Sequence, residues 1–387
     1  MFQGQGGRYT QMCCSIAPIL RGFCAFYVVV YHARYILWAG GHEYLVAFPR
    51  VTWSIWQYAA FIIDMLSGAG YEMVIFFFVL SGFFIRYAQL RKPRAAGNFY
   101  INRIVRIYPP YLVSVALAAT VLLAISRCVP QMITLSGNRA LNTTLMIARD
   151  NLRMFNLTDM VRTLLFLPLQ NQVYIGYNGV YWSLLPEALF YAVVPLAFWR
   201  VRAYYVLSVI LYVIGIVATS LHYQQGEILT FLLTYNFYFA VGAAIHDIVV
   251  KTEWLLYVGR MPGWLLSLTA IVLFGLLLLL ALLKLKSISG LIAVLIAILM
   301  ISSLLAGRVA RHNWVLRIFH PVGIFSFSLY LYHFPLLILC SSLLTVLTGN
   351  IIFYIRYYWL AIPIVTLACY CLYWLTERVS VNFFRKI

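Results

Sequence analysis

The stretch WLLSLTAIVLFGLLLLLALL, from Trp264 to Leu283, decides the fold, because it runs for 20 residues without a charged side chain. A helix of about 20 apolar residues is long enough to cross the hydrocarbon core of a bilayer. The rest of the chain is similar: 64% of its 387 residues are hydrophobic and 10% are charged. Because soluble domains carry about a quarter charged residues, this composition excludes a soluble enzyme, a disordered chain and a disulfide-rich secreted domain.

Nine further apolar stretches predict an all-α polytopic membrane protein with about ten transmembrane helices. Helices are required because backbone polar groups in lipid must be hydrogen-bonded within their own segment. No internal repeat or low-complexity linker divides the sequence, so residues 1–387 are interpreted as a single integral-membrane domain. The predicted spans are residues 17–38, 72–88, 108–126, 180–199, 203–221, 228–248, 264–283, 288–306, 323–345 and 354–375.

The chain is strongly basic, with 28 Lys and Arg against 10 Asp and Glu. In a membrane protein such cations set the topology and contact anionic lipid, so no nucleic-acid partner is expected. With the N-terminus in the cytoplasm, 17 Lys and Arg fall on the cytoplasmic side, 9 fall on the other side, and Arg21 and Arg34 lie within the first span. The positive-inside rule therefore predicts that both termini are cytoplasmic. The Cys and His residues show no metal-ligand spacing, so no metal is expected.

Ionisable residues inside predicted spans carry the clearest functional signal, because each costs a few kcal/mol at the bilayer centre. Arg21 and His32 face the same side of the first span, about 16 Å apart along the helix axis. Glu187 lies inside the fourth span at about the same depth as His32, about 10 Å from the outer end. A carboxylate and an imidazole at one depth predict an acid/base dyad. The structural alternatives are a snorkelling Arg21, a hydrogen-bonded His32 and a Glu187 neutralised by another cation such as Arg34.

Two more positions point to chemistry. Arg103 and Arg106 share a helix face where the chain enters the third span, and two guanidinium groups at this spacing can bind phosphate. Ordinary positive-inside charge is the alternative for this pair. His333 lies in the middle of the ninth span, where a histidine satisfied by a neighbouring helix is the alternative. Together these residues suggest a phosphate-bearing donor on the cytoplasmic side and an acceptor outside.

Five strings of this chain resemble, in order, the motifs of the membrane-bound acyltransferase 3 family, which includes many bacterial O-acetyltransferases of surface glycans. The similarity covers most of the chain, from Arg21 to Glu377. The strings are Arg21 with His32 eleven residues on, Phe77-Phe78-Val79-Leu80-Ser81-Gly82-Phe83, Arg103 and Arg106 before Pro109-Pro110, Trp182-Ser183-Leu184 with Glu187, and Ser326 to His333.

The chain departs from the family pattern in three places. Where the family often has an acid before the Phe-Phe-Val-Leu string, this chain has Ile75, and Glu72 lies one turn earlier. Pro186 directly precedes Glu187. The end of the similarity has Glu377-Arg378-Val379 in place of a Glu-Arg-Pro-like motif.

The resemblance implies an O-acetyltransferase that moves an acyl group, usually acetyl, from acyl-CoA to a hydroxyl of an extracytoplasmic glycan, glycolipid or related acceptor. It implies that His32 takes the proton of the acceptor and that Glu187 orients or charge-balances His32. The acyl group would move either directly to the acceptor or through a transient acyl-histidine. Arg103 and Arg106 would bind the CoA phosphates, and Arg21 would line the path between. A bacterial inner (plasma) membrane is the implied location. The residues expected to shape the substrate pocket are Ser81, Gly82, Trp182 and His333.

A secondary transporter or flippase is the main alternative, because intramembrane Arg, His and Glu also build proton relays and substrate sites. A transporter predicts substrate flux without CoA consumption, whereas an acyltransferase releases free thiol from acetyl-CoA. A non-catalytic sensor or assembly partner predicts that Glu187 is dispensable and that CoA does not bind. The outer segments expected to contact the acceptor are residues 39–71 and 127–179.

We expect Arg103→Ala to raise the apparent KM for acyl-CoA, because one of the two cations proposed for the CoA phosphates is lost. Hydrogen bonds to charged groups contribute about 1.5–3 kcal/mol, so the rise should be about tenfold or more. Steady-state kinetics of the purified protein at varied acyl-CoA check this, with Arg260→Ala, another cation predicted on the cytoplasmic side, as the control. An unchanged KM argues against phosphate binding at this helix face.

Overall fold

The computed structural model describes residues 6–38, 45–134, 140–221, 223, 226–308, 314–351 and 358–384. Within these ranges the chain forms helices and turns and contains no strand. Ten helical segments of the described chain are long and apolar enough to cross a membrane. The prediction of an all-α polytopic membrane protein is therefore confirmed, while the cytoplasmic location of the termini stays a prediction.

The described helices are numbered in chain order. They are α1 Gly6–Leu37, α2 Ile55–Met65, α3 Gly70–Arg91, α4 Ala96–Cys128, α5 Ala140–Arg153, α6 Leu157–Leu164, α7 Leu184–Trp199, α8 Val201–Ser220, α9 Glu227–Thr230, α10 Asn236–Lys251, α11 Trp254–Arg260, α12 Gly263–Leu282, α13 Lys286–Leu305, α14 Trp314–Ile324, α15 Ser326–Thr348, α16 Tyr358–Leu375 and α17 Glu377–Phe384. A π-helical turn, Phe231–Tyr235, joins α9 to α10. The short 3-10 turns are Arg50–Thr52, Pro130–Ile133, Gln170–Gln172, Ile175–Tyr177 and Gly179–Ser183.

The observed spans overlap all ten predicted ones, but several boundaries differ. The third predicted span began at residue 108, whereas α4 begins at Ala96 and continues through Pro109 and Pro110. The second span extends over Ile55–Arg91 rather than 72–88, because α2 is also apolar. The tenth span is described from Tyr358, and its predicted residues 354–357 lie outside the described ranges. Residues 39–44 and 135–139 of the predicted acceptor segments also lie outside them.

The chain divides into two compact units, each built from separate parts of the sequence. The first unit contains Met1–Phe26, Gly68–Tyr100 and Pro186–Ser326. The second unit contains Tyr27–Ser67, Ile101–Leu185 and Phe327–Ile387. The unit boundaries fall inside four helices, including α1 and α4.

Two glycines allow α3 and α10 to pack closely in the first unit. A Cβ on Gly82 would lie 2.0 Å from the carbonyl oxygen of Phe239, and a Cβ on Gly242 would lie 2.0 Å from that of Val79. Small residues are common where membrane helices cross, because close backbone approach provides much of the association energy in lipid. Gly82 therefore has a packing role in this unit, and its predicted contact with substrate stays a prediction.

A buried ion pair connects the same two helices. The Nε and Nη2 atoms of Arg86 donate to the two carboxylate oxygens of Asp247 at 2.9 and 3.1 Å. Lys251 adds a third donor at 2.9 Å, and the Arg86 guanidinium lies 5.1 Å from the ring centroid of Phe198. Since Arg86 is 7% and Asp247 6% exposed, each charge depends on the other for compensation.

In the second unit the segment after α4 folds back onto α4. The hydroxyl of Tyr111 donates to the carbonyl of Thr163 at 2.7 Å, and that of Tyr108 donates to the carbonyl of Leu164 at 3.0 Å. These bonds satisfy carbonyls at the end of α6, which have no donor within the helix. The helix α5 packs against the turns Pro130–Ile133 and Ile175–Tyr177.

We expect Gly82→Ala to lower the stability of the protein by about 1–3 kcal/mol, because the added methyl group meets a carbonyl of α10 and forces the helices apart. Gly275→Ala is the matched control, since its Cβ would meet no atom within 4 Å. The control should be neutral or stabilise α12 by up to about 1 kcal/mol. Thermal unfolding in detergent measures both variants, and equal stability of the two would contradict the packing role.

Candidate active site

His32 and His333 form the centre of the candidate site in the second unit. The Nδ1 atom of His32 lies 2.9 Å from Nε2 of His333, and their ring centroids are 5.1 Å apart. His333 is fully buried, and His32 is half-buried. The Nδ1 atom of His333 lies 2.8 Å from the carbonyl oxygen of Leu329. The structure thus pairs two residues that the sequence analysis had selected separately.

The Leu329 carbonyl determines which ring nitrogens of His32 and His333 carry protons. A carbonyl oxygen can only accept, so Nδ1 of His333 carries a proton and donates it. In a neutral His333 the Nε2 atom then holds a lone pair and accepts the Nδ1–H of His32. In this tautomer His32 has its own lone pair at Nε2. The arrangement follows the logic of catalytic triads, in which one group orients the base that takes a substrate proton.

A proline ties the His333 helix to its neighbours. Pro335 has no amide hydrogen, so the carbonyl of Leu331 lacks its helical donor. The hydroxyl of Ser114 and the amide nitrogen of Asn178 each donate to that oxygen at 2.9 Å. Because a carbonyl inside a membrane must be satisfied by protein groups, these two bonds hold α15 against α4 and the turn before Gly179.

Two tyrosines beside His333 connect three of the five motif strings. The hydroxyls of Tyr330 and Ser183 lie 2.7 Å apart, which joins α15 to the Trp-Ser-Leu string. The hydroxyl of Tyr332 lies 3.0 Å from the carbonyl oxygen of Pro110, which joins α15 to the double proline. The motifs therefore position the His333 helix.

Glu377 caps the helix that carries His333. Its Oε2 atom accepts from the backbone nitrogen of Ser328 at 3.2 Å and from the Ser328 hydroxyl at 2.7 Å. Ser328 lies in the first turn of α15, where backbone N–H groups have no partner in the helix and a carboxylate is favoured by the helix dipole. The carboxylate that ends the family similarity thus has a positioning role.

Glu187 lies in the first turn of α7, in the first unit. Tyr191, one turn later, donates a hydrogen bond to its carboxylate. Pro186 does not break the helix, because the first turn needs no N–H donor at that position. The predicted dyad of His32 and Glu187 joins residues of different units and stays a prediction.

The three arginines expected to bind the donor or line its path lie on two helices. Arg103 and Arg106 are half-buried on α4 in the second unit, one turn apart within the helix rather than at its entrance. Arg21 lies on α1 in the first unit, where its guanidinium is 5.6 Å from the ring centroid of Phe84. None of the salt bridges in the described ranges includes Arg106.

The predicted pocket residues are divided between the units. Ser81 and Gly82 lie on α3 in the first unit. Trp182 and His333 lie in the second unit, Trp182 in the turn Gly179–Ser183. A direct contact of these side chains with substrate stays a prediction.

A comparison with protein families decides the class of this site. A family model described as an acyltransferase domain, that of acyltransferase 3, matches residues 19–374. The chain belongs to the acyltransferase 3 family. The match includes every predicted site residue and supports an acyltransferase activity in a multi-pass membrane protein. No curated protein and no solved structure matches the chain.

This acyltransferase buries more carboxylates than the sequence analysis recognised. Glu187 was selected as the carboxylate well inside a span, but four others are at most 6% exposed and lie within the observed spans: Asp64, Glu72, Asp247 and Glu377. Asp64 was missed because its span begins earlier than predicted. It accepts a hydrogen bond from Tyr358, and Glu72 accepts one from Ser289 at 2.6 Å.

We expect Glu377→Ala to destabilise the acyltransferase by about 1–3 kcal/mol, because Ser328 loses its buried acceptor. Glu377→Gln should recover much of this loss, since a carboxamide oxygen accepts the same bonds. Thermal unfolding in detergent measures the effect, with exposed Glu253→Ala as the control. A wild-type melting temperature for Glu377→Ala would contradict the capping role.

Proposed function

We propose that this acyltransferase transfers an acyl group, most simply acetyl, from acyl-CoA to a hydroxyl of an extracytoplasmic glycan or glycolipid. One observation carries the proposal: the hydrogen-bond chain from the Leu329 carbonyl through His333 to His32. These hydrogen bonds leave the lone pair of His32 on Nε2, where a general base requires one.

In the proposed reaction, Nε2 of His32 removes the proton of the acceptor hydroxyl while the hydroxyl oxygen attacks the thioester carbonyl carbon. The new carbon–oxygen bond forms, the carbon–sulfur bond breaks, and the CoA thiolate takes the proton back from Nε2 of His32. The products are an ester and CoA thiol, and His32 returns to its neutral form. His333 accepts the Nδ1–H of His32 throughout, which stabilises the transient imidazolium and fixes the ring.

Arg103 and Arg106 are the proposed ligands of the CoA phosphates. Guanidinium groups one turn apart can bind phosphate through paired, charge-assisted hydrogen bonds. Their helix, α4, also provides the Ser114 hydroxyl and the Pro110 carbonyl that contact the His333 helix. Donor binding and the orientation of the base would therefore depend on one helix.

The remaining assignments complete the proposal. Arg21 lines the path between the donor phosphates and His32, and Glu187 balances the charge that His32 gains. Ser81, Gly82 and Trp182 shape the pocket. With both termini in the cytoplasm, the donor arrives from that side and the acceptor is modified on the opposite side of a bacterial inner membrane.

We expect His32→Ala to reduce acyl transfer at least about 100-fold, because general-base catalysis contributes about 10²–10⁴-fold. His333→Leu should lower kcat about tenfold or more with little change in the KM for acetyl-CoA, because the base loses its orienting acceptor. His333→Gln should recover part of kcat, since its carboxamide oxygen can accept from His32. Thiol release from acetyl-CoA by the purified protein measures all three variants.

His320→Ala provides the control, because His320 is exposed and belongs to the first unit, whereas both histidines of the pair belong to the second. It should retain wild-type activity. Full activity of His32→Ala would exclude the proposed base. Acceptor-linked flux without thiol release would favour the transporter, and labelled acyl enzyme trapped on His32 would replace direct transfer by an acyl-histidine route.

A further inference from the structure

Backbone strain is concentrated in the segment that precedes α7. Of the five non-glycine residues with positive φ in the described chain, four lie between residues 166 and 177. Tyr177 is one of them, at φ 55°, directly after Gly176 at φ 63°. A bulky side chain adopts this left-handed conformation only where surrounding structure imposes it, and such residues cluster at ligand-binding and active sites.

The strained residue, Tyr177, is connected to His32 through the ring of Phe334. The ring of Tyr177 packs edge-on against Phe334 at 5.3 Å, and Phe334 packs edge-on against His32 at 5.0 Å. Gly179 keeps this segment close to α15, because its Cβ would lie 3.3 Å from Phe334. Tyr177 is thus one ring removed from the proposed base.

A second tyrosine, Tyr35, contacts the hydroxyl of Tyr177. Tyr35 follows His32 by one turn of α1, so the two side chains share a helix face. Its phenol oxygen lies 3.3 Å from that of Tyr177, near the outer limit of a hydrogen bond. Tyr35 is 38% exposed, whereas Phe334, which packs against both His32 and Tyr177, is buried. Two phenol groups therefore meet about one helical turn from His32, and one of them is exposed.

We propose that Tyr35 and Tyr177 bind the acceptor and select an uncharged, hydroxyl-bearing ring, such as a neutral sugar residue. The inference rests on the proposed function, because it assigns the acceptor side of that same site. It adds two specificity-determining residues to the base and the phosphate-binding arginines.

The chemistry of the pair favours a neutral acceptor. A phenol hydroxyl both donates and accepts, as sugar hydroxyls do, and aromatic faces pack well on the apolar face of a sugar ring. Burial raises the pKa of Tyr177, and the neighbouring Tyr35 raises it further, so the phenol stays protonated at neutral pH. Arg34, the cation nearest in sequence, donates instead to the carbonyl oxygen of Asp64.

The test compares three acceptors with the purified full chain and acetyl-CoA: methyl glucopyranoside, the corresponding methyl glucuronoside, and acyclic glycerol. We expect the neutral pyranoside to be preferred at least about tenfold in kcat/KM. Tyr35→Phe and Tyr177→Phe should each raise the KM for the pyranoside about five- to tenfold, because each removes a hydroxyl but keeps the ring. The KM for acetyl-CoA should change less than about twofold. The same holds for the rate of thiol release when water is the acceptor.

Tyr370→Phe is the matched control, because Tyr370 on α16 is 39% exposed, close to the 38% of Tyr35, and lies outside the proposed site. It should leave the KM for the pyranoside unchanged, and thermal unfolding should show that all three variants are folded. An unchanged pyranoside KM in both test variants, or equal use of glucuronoside or glycerol, would overturn the proposal. A wild-type protein that releases no thiol with any acceptor or with water would overturn the proposed function instead.

Discussion

The hydrogen bond from His333 to the Leu329 carbonyl is the interaction on which the chemistry of the site depends. It fixes one proton, and through it the tautomers of two histidines follow. In the proposed mechanism, the Leu329 carbonyl takes the place that a carboxylate usually has in a catalytic triad. Because a carbonyl cannot ionise, it adds no charge beside the two histidines, which suits a buried site in a membrane protein.

The membrane environment explains why this site is so firmly held. Pro335 creates an unsatisfied carbonyl at Leu331, and the low polarity of the surroundings makes that group costly until Ser114 and Asn178 reach it. The carbonyl that Pro335 leaves without a helical donor thus binds α15 to α4 and to the turn that contains Asn178. The capping of α15 by Glu377 works in the same way, since unsatisfied N–H groups of the first turn attract a carboxylate.

The sequence alone predicts the ten spans, because composition and length suffice, and it selects His32 and His333 because ionisable groups are rare in lipid. It does not predict that they meet, since they are 301 residues apart and no spacing rule links distant helices. The predicted start of the third span is also wrong, because Arg103 and Arg106 indicate the entrance of a helix, whereas α4 begins at Ala96. The sequence does not single out Tyr35 and Tyr177, because the chain has 29 tyrosines and the positive φ of Tyr177 is invisible in the sequence.

The ion pair of Arg86 and Asp247 has a consequence for biogenesis. Arg86 is synthesised 161 residues before its partner, so α3 is made before the carboxylate that compensates its cation. Arg86 lies five residues before the end of α3, so its side chain can reach towards the headgroups until Asp247 is present. The contact of α3 with α10 can therefore form only after α10 has been inserted.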